Sequence, residues 1–181
     1  MILNAKNNNF RIELPRSFFS DYITNKYIPS IKKYQTIYNN IWDFINASIQ
    51  SCTVPTPNLP IVEQERLHNT KSIYKGKGNV NYYLDNDFTI TFKFYDGFLN
   101  YFIMYELLIE FYEYRNKNTN LGDLLLTFYN NSGYEIFNIV YEKIVYNSIS
   151  ELKLEYPSNT PTFQTFDCGF NFNDIKFNPL V

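Results

Sequence analysis

The sequence predicts an α+β fold that is mainly β: an antiparallel β-sandwich or barrel subunit with one main packing helix and an additional helical N-terminal segment. Three observations predict it. Phe88, Ile90, Phe92 and Phe94 share one parity, while Thr89, Thr91 and Lys93 share the other. Successive strand side chains point to opposite faces, so this is a half-buried strand. The same alternation returns at Phe166, Cys168, Phe170 and Phe172. Between them, from Phe98 to Tyr114, the strand period is lost. A helix there is apolar or tyrosine nearly all round, except for a narrow stripe of Glu106, Glu110 and Glu113. A helix on a monomer's surface carries a broad polar face. This one is therefore expected to be covered by more than its own sheet, which points to an assembly.

Composition agrees with extensive contacts. The chain has 181 residues, enough for one domain with a sizeable core, and 19% are aromatic, with 17 Tyr and 17 Phe. Aromatics favour strands and buried interfaces. AT-rich codons also favour Asn, Ile, Lys, Tyr and Phe, which accounts for part of this bias. The net charge of −2 and the absence of any basic run give no electrostatic grip on nucleic acid. Cys52 and Cys168 are the only cysteines, too few for a disulfide scaffold, although they could pair. The N-terminus lacks the apolar core of a signal peptide, and the apolar helix is too short to span a bilayer, so no membrane role is expected.

In chain order, residues Met1 to Asn9 read as a mobile polar arm. Phe10, Ile12 and Leu14 alternate with Arg11 and Glu13 as a first strand, ended by Pro15. Ser17 is placed to cap a short helix carrying Phe18, Phe19, Tyr22, Ile23 and Tyr27, with Pro29 as its stop. A second helical period runs through Ile37, Ile41, Phe44, Ile45, Ser48 and Ile49, with Thr36 as cap and Trp42 flanking. Pro55, Pro57 and Pro60 make a stiff extended connector, after which Ile61 to Leu67 reads as an edge strand. His68 to Asn79 reads as a long exposed polar loop. Val80 to Phe94 is β, broken by a turn at Asp85 to Asp87, and Asp96 is placed to cap the apolar helix.

Beyond that helix, Arg115 to Asn120 is a polar loop. Leu124 to Phe128 and Tyr134 to Tyr141 form a hairpin around Asn130 to Gly133. Leu152, Leu154 and Tyr156 alternate with Glu151, Lys153 and Glu155 as another strand. In the last strand the parity slips, because Ile175 and Phe177 are odd-numbered, and a bulge near Asn173 would produce that slip. The count is seven or eight strands and one to three helices, in one domain spanning residues 1–181.

Chemistry is harder to find. His68 is the only histidine, and a lone His in a polar loop reads as a surface residue. Without a second His or a cysteine cluster, the spacing gives no zinc site and no nucleophile–base pair. Gly76 to Gly78 lacks the strand and helix that frame a phosphate loop. Asp85 and Asp87 read as a turn. Glu106, Glu110 and Glu113 read as the solvated stripe of a helix. No catalytic residue, cofactor or metal is expected, and the reading is of a non-enzymatic structural or binding protein.

Four segments carry a resemblance: SCTVPTPNLPIVEQ (Ser51 to Gln64), the loop from His68 to Asn79 with LDNDFTITFKFYDGF after it, LLLTFYNNSGYEIFNIVYEKIVYNSISELKLEY (Leu124 to Tyr156), and FQTFDCGFNFNDIKF (Phe163 to Phe177). Their order and local sequence resemble the tail tube proteins of contractile-tailed bacteriophages, a family related to the tubes of type VI secretion systems and pyocins. The match covers about two-thirds of the chain. Ile144 to Ser150 lacks the Trp-Pro often seen at that point. Residues 15–50 form a helical insertion, longer than a plain tube subunit needs, and this suits a baseplate-proximal or terminal ring.

The resemblance implies a virion protein of the tail, assembled in the host cytoplasm. It implies homo-hexameric rings stacked into a tube, with strands joined edge to edge around a lumen through which genomic DNA passes without specific binding. Sheath or baseplate proteins would be the other partners. The loop residues His68, Tyr74, Lys75 and Lys77 become candidates for ring stacking. On the helix, Tyr101, Tyr105, Leu108 and Tyr112 are candidates for contact with a neighbour. Two other readings compete. The alternating aromatics suit a monomeric β-sandwich module that binds carbohydrate or another ligand. The carboxylates suit a glycosidase only if two of them meet in a pocket.

Overall fold

The computed structural model describes residues 9–34, 37–56, 61–66, 70–75, 86–113, 121–154 and 164–180. Among them are ten strands: β1 (Phe10–Glu13), β2 (Ile49–Cys52), β3 (Ile61–Arg66), β4 (Thr70–Lys75), β5 (Asp87–Lys93), β6 (Leu124–Tyr129), β7 (Glu135–Glu142), β8 (Val145–Ile149), β9 (Thr165–Asn171) and β10 (Asp174–Pro179). Three α-helices accompany them, α1 (Asp21–Tyr34), α2 (Ile41–Asn46) and α3 (Leu99–Glu113). One four-stranded sheet runs β1-β6-β7-β10 and the other β2-β5-β9-β8, while β3 and β4 form a two-stranded ribbon. Every pairing is antiparallel. The fold is α+β and mainly β, as the alternation predicts. It is an open pair of sheets, not a closed barrel.

The core lies where the apolar parities of the two sheets face each other. Phe88, Ile90 and Phe92 of β5 sit directly opposite Phe170, Cys168 and Phe166 of β9, and all six are buried. Side chains at matched positions on neighbouring strands touch, so Phe92–Phe166 and Phe88–Phe170 stack, with ring centroids 5.2 and 5.4 Å apart. From the other sheet Ile12, Leu124, Leu126, Ile139 and Tyr141 complete the same cluster. Each such side chain contributes roughly 1.5–3 kcal/mol on burial.

Several predicted boundaries shift, each for a local reason. Pro29 lies inside α1 and does not end it. Its ring removes one backbone hydrogen bond, but Ile23 and Ile31 on either side of it are both buried and hold the helix to the core. Ser20 caps α1 in place of Ser17: its Oγ accepts from the Ile23 N–H at 3.2 Å. The Ser17 hydroxyl instead donates to the Leu121 carbonyl at 2.6 Å. Asn40 caps α2 by accepting from the Asp43 N–H. Thr36 lies outside the described residues, and Ile37 is 85% exposed and precedes the helix.

Asp96 does not cap α3. A short 3-10 turn, Asp96–Phe98, with Gly97 at φ +71° leads into the helix. The buried Asn100 amide ties that turn to β5 from inside the helix, donating to the Lys93 carbonyl at 2.8 Å and accepting from the Tyr95 N–H at 3.1 Å.

The segment expected as a long loop contains β4, which pairs along its whole length with β3, so Ile61 stands opposite Lys75 and Arg66 opposite Thr70. β3 is the edge strand expected over Ile61 to Leu67, whereas β4 is polar and shows no apolar alternation, which is why the sequence pattern misses it. Residues 151–154 are not a strand, and Leu154 is 69% exposed. The strand there is β8, which ends earlier, at Ile149. The slip near Asn173 is not a bulge in one strand. The chain changes sheets at that point: β9 belongs to one sheet, and β10 pairs with β7 of the other. The Asn130–Gly133 hairpin stands as predicted. The Asn130 side chain accepts from the Ser132 and Tyr134 N–H groups, and Gly133 takes φ +83°. The arm before Asn9 lies outside the described residues.

Candidate assembly surfaces

α3 has three faces. Ile103, Met104 and Leu107 are buried against the sheets, and the Tyr101 ring packs edge-on to Phe166 at 5.3 Å. Tyr101 is thus a core residue: its hydroxyl donates to the Ser150 carbonyl at 3.1 Å, and burial pushes its pKa above the ordinary tyrosine range. Leu108 is half-buried and packs on the same core. The outer face carries Tyr105 and Tyr112, together with Phe102 and Ile109, which the sequence reading passed over; all four are exposed. Their spacing of three, four and three residues is the signal that would have found them. His68 and Lys77 lie outside the described residues. Tyr74 and Lys75 close β4, at the end paired with the start of β3.

The third face of α3 is the glutamate stripe, and it is not simply solvated. α1 lies beside it. The Lys26 ammonium donates to both Glu106 oxygens at 2.6 and 2.7 Å. The Ser20 hydroxyl donates to Glu110 Oε2 at 2.6 Å. The hydrogen bond to Glu106 raises the Lys26 pKa, but the ammonium is exposed, so solvent screens the pair. Between the two helices runs a groove of about 550 Å³ lined by Tyr22, Ile23, Lys26, Glu106, Ile109, Glu110 and Glu113. The stripe read from sequence as solvated is therefore one wall of a cleft in which three carboxylates do meet, with Glu106 engaged by Lys26 and Glu110 by Ser20.

The β2-β5-β9-β8 sheet offers a different surface. Its inner face is the aromatic core. Phe166, Phe170 and Phe172 are buried in it, so they form no sugar-stacking platform. Its outer face carries small or polar residues paired across strands, among them Ser51, Thr89, Thr91, Asp167 and Asn171, with one exposed lysine, Lys93, at its end. The Thr91 hydroxyl donates to Asp167 Oδ1 at 2.7 Å. Asn147 and Ser148 sit on this face at a register shift in β8, directly over Gly169. β2 and β8 are the edges of the sheet, each paired on one side only among the described residues.

The two cysteines do not meet. Cys52 is in register with Ile90, and Ile90 with Cys168, so a whole strand separates them. Two strand spacings are about 9–10 Å, beyond the roughly 7 Å Cα limit of a disulfide. Both thiols are free. Burial pushes Cys52 up to about 11 and Cys168 higher still. Among the described residues no group of three or more His, Cys, Asp or Glu side chains is placed to hold a metal ion.

No protein-family model and no curated protein matches the sequence. Solved structures do match. The chain is similar to the anti-feeding prophage cap, a tube-terminating cap, at TM-score 0.58 and 9% identity over 99% of this chain and 94% of that one. It is similar to a chain of the sheath/tube terminator of the extracellular contractile injection system PVC, at TM-score 0.56 and 8% identity over 98% of each. A chain of the PVC sheath–tube complex in the extended state matches at TM-score 0.53 and 7% identity, over 98% and 93%. Two packed antiparallel sheets with α3 across them are thus the fold found in chains of contractile injection system tube and tube-terminator assemblies.

Proposed function

We propose that the chain is a non-enzymatic structural subunit of a contractile phage-like tail, forming hexameric rings of the tail tube or of the ring that terminates it. One observation carries this reading: the β2-β5-β9-β8 sheet has four strands of alternating direction and two edges left unpaired among the described residues. When copies are arranged around an axis in one orientation, β8 of each meets β2 of the next. With an even number of alternating strands that joint is antiparallel, so the ladder continues without a break. Edge strands left unpaired invite uncontrolled association, and a closed ring removes them.

The similarity to tube and terminator chains over nearly the whole length supports the same reading. The outer face of that sheet becomes the wall of the lumen. Its Thr, Ser, Asn and Asp side chains, with Lys93 the single basic residue on that face among the described residues, form no basic track to hold a phosphate backbone, which suits DNA that must slide through. The α1–α2 segment suits a terminal or baseplate-proximal ring, with sheath or baseplate proteins as neighbours in a virion tail assembled in the host cytoplasm. β4, with Tyr74 and Lys75, remains the candidate for ring stacking. Electron microscopy and native mass spectrometry of the purified protein test the proposal. Hexameric rings with a central hole are expected; a monomer that persists at high concentration would overturn it.

A further inference from the structure

The groove between α1 and α3 and the far end of α1 are complementary in charge and in apolar character. Three carboxylates, Glu106, Glu110 and Glu113, line the groove against one ammonium, Lys26, which is already bound to Glu106. Tyr22 at 64% and Ile109 at 38% exposure supply apolar walls, continuous with the exposed Phe102, Tyr105 and Tyr112. At the C-terminal end of α1 the signs invert. Lys32, Lys33 and Tyr34 are exposed, and Ile37 beyond them is 85% exposed. Among the described residues neither Lys32 nor Lys33 has a carboxylate partner, and the Lys33 ammonium rests 5.0 Å from the centroid of the Tyr34 ring.

We propose that the Lys32–Tyr34 end of α1 in one copy enters the α1–α3 groove of the next, pairing Lys32 and Lys33 with Glu110 and Glu113 and covering Ile109. One chain cannot satisfy itself. Lys26 and Tyr34 are fixed on the same helix, about 12 Å apart along its axis, so the tip never reaches its own groove. Two different patches that fit each other make a head-to-tail contact, which closes into a ring when the rotation allows it. This contact rests on the ring reading above but lies in the helical layer, separate from the β2–β8 joint. It explains why α3 keeps an apolar outer stripe next to an acidic one, since a tip that is both basic and aromatic needs both.

The test uses the full chain with Tyr34→Cys and Ile109→Cys introduced together. Mild oxidation should give disulfide-linked oligomers up to the ring size on a non-reducing gel, while either single variant gives none. In parallel, Lys32→Glu/Lys33→Glu and Glu110→Lys/Glu113→Lys should each weaken ring association by about tenfold or more. The fourfold charge swap should restore it, with circular dichroism showing all variants folded. Rings that form normally in both charge-reversed variants, with no cross-link between positions 34 and 109 in the paired cysteine variant, would overturn the contact and leave the groove to another polypeptide. Absence of rings in the unmodified protein would remove the ring reading, and this contact with it.

Discussion

Phe88 on β5 and Tyr141 on β7 stack with ring centroids 4.6 Å apart and planes 19° apart. Strand β5 belongs to one sheet and β7 to the other, so this pair is a direct aromatic joint between them. Phe172 closes on both rings, at 6.0 Å from Phe88 and 5.2 Å from Tyr141. The Tyr141 hydroxyl is buried and has no hydrogen-bond partner among the described residues. Phe88→Ala is expected to cost about 3–5 kcal/mol, from the lost burial and the cavity left behind. Tyr141→Phe keeps the stack and removes the orphan hydroxyl, so it is expected to be neutral or to stabilise by about 1 kcal/mol. Urea denaturation of the two variants checks both values. A large loss in Tyr141→Phe would mean that the hydroxyl has a partner after all.

Stability should fall on the alkaline side. Burial raises the pKa values of Tyr27, Tyr95, Tyr101, Tyr141 and Tyr146, and of both cysteines. The folded state thus favours the protonated forms. Below the unfolded values, about 8.5 for cysteine and 10 for tyrosine, both states hold these protons and stability does not change. Above them the unfolded chain loses protons first, and stability falls until the folded values are passed. Melting temperatures measured across the alkaline range should be level to about pH 8.5 and decline steeply beyond about pH 10. A flat profile through that range would contradict the burial of these groups.

The thiols should be inert in the folded protein. With Cys52 pushed up to about 11, its thiolate fraction at about pH 8 is about two orders of magnitude below that of a free cysteine. Cys168 is fully buried. A colorimetric thiol reagent is expected to titrate both cysteines promptly in denaturant and to react slowly, if at all, without it. Oxidants should give no intramolecular disulfide, because Ile90 stands between the two sulfurs.

A methyl group at Gly169 would meet Ser148 Oγ and, at 2.6 Å, Asn147 Oδ1. Both side chains cross this position from the irregular part of β8. Gly169→Ala is therefore expected to cost about 1–3 kcal/mol. Ser148→Ala in the same chain should recover part of that, since the two changes share one space and are not additive. Denaturation curves of the parent, the two single variants and the double variant form the cycle; independent effects would mean that β8 does not approach Gly169 this closely.

Two kinds of α3 variant should separate. Leu108 packs on the core, so Leu108→Lys is expected to lower stability by about 1–3 kcal/mol in the isolated chain. Phe102 and Tyr105 are each nearly half exposed. The double variant Phe102→Glu/Tyr105→Glu should hold its melting temperature within a few degrees and lose association, read by analytical ultracentrifugation. Unchanged association in the double variant would argue against the outer stripe as a contact surface.

The parts of the fold legible in the sequence are those where side-chain parity and burial coincide. Phe88 to Phe92 and Phe166 to Phe172 read correctly because one face of each strand is entirely core. In the separate ribbon β3 is legible as an edge strand but its partner β4 is not, because Lys71, Ser72 and Lys75 give no apolar alternation to read. Pro29 misleads because a local rule about proline is outweighed by the burial of Ile23 and Ile31, which only tertiary structure reveals. The glutamate stripe was visible but its surroundings were not: nothing near Glu106 in sequence indicates Lys26, eighty residues earlier. The same limit applies to Tyr101. On a helical wheel it lies beside Tyr105, yet its neighbour Phe166 places it inside.

The parity slip after Phe172 has a mechanical consequence. Only Phe172 and Asn173 separate β9 from β10. Neither residue is slack: the Phe172 N–H donates to the Asn86 carbonyl and the Asn173 N–H to the Glu142 carbonyl. Shear applied to one sheet therefore reaches the other through a taut two-residue tether, without first drawing out a loop. When either sheet is loaded the other is expected to move with it, so the pair of sheets acts as one body and not as two layers that slide past each other.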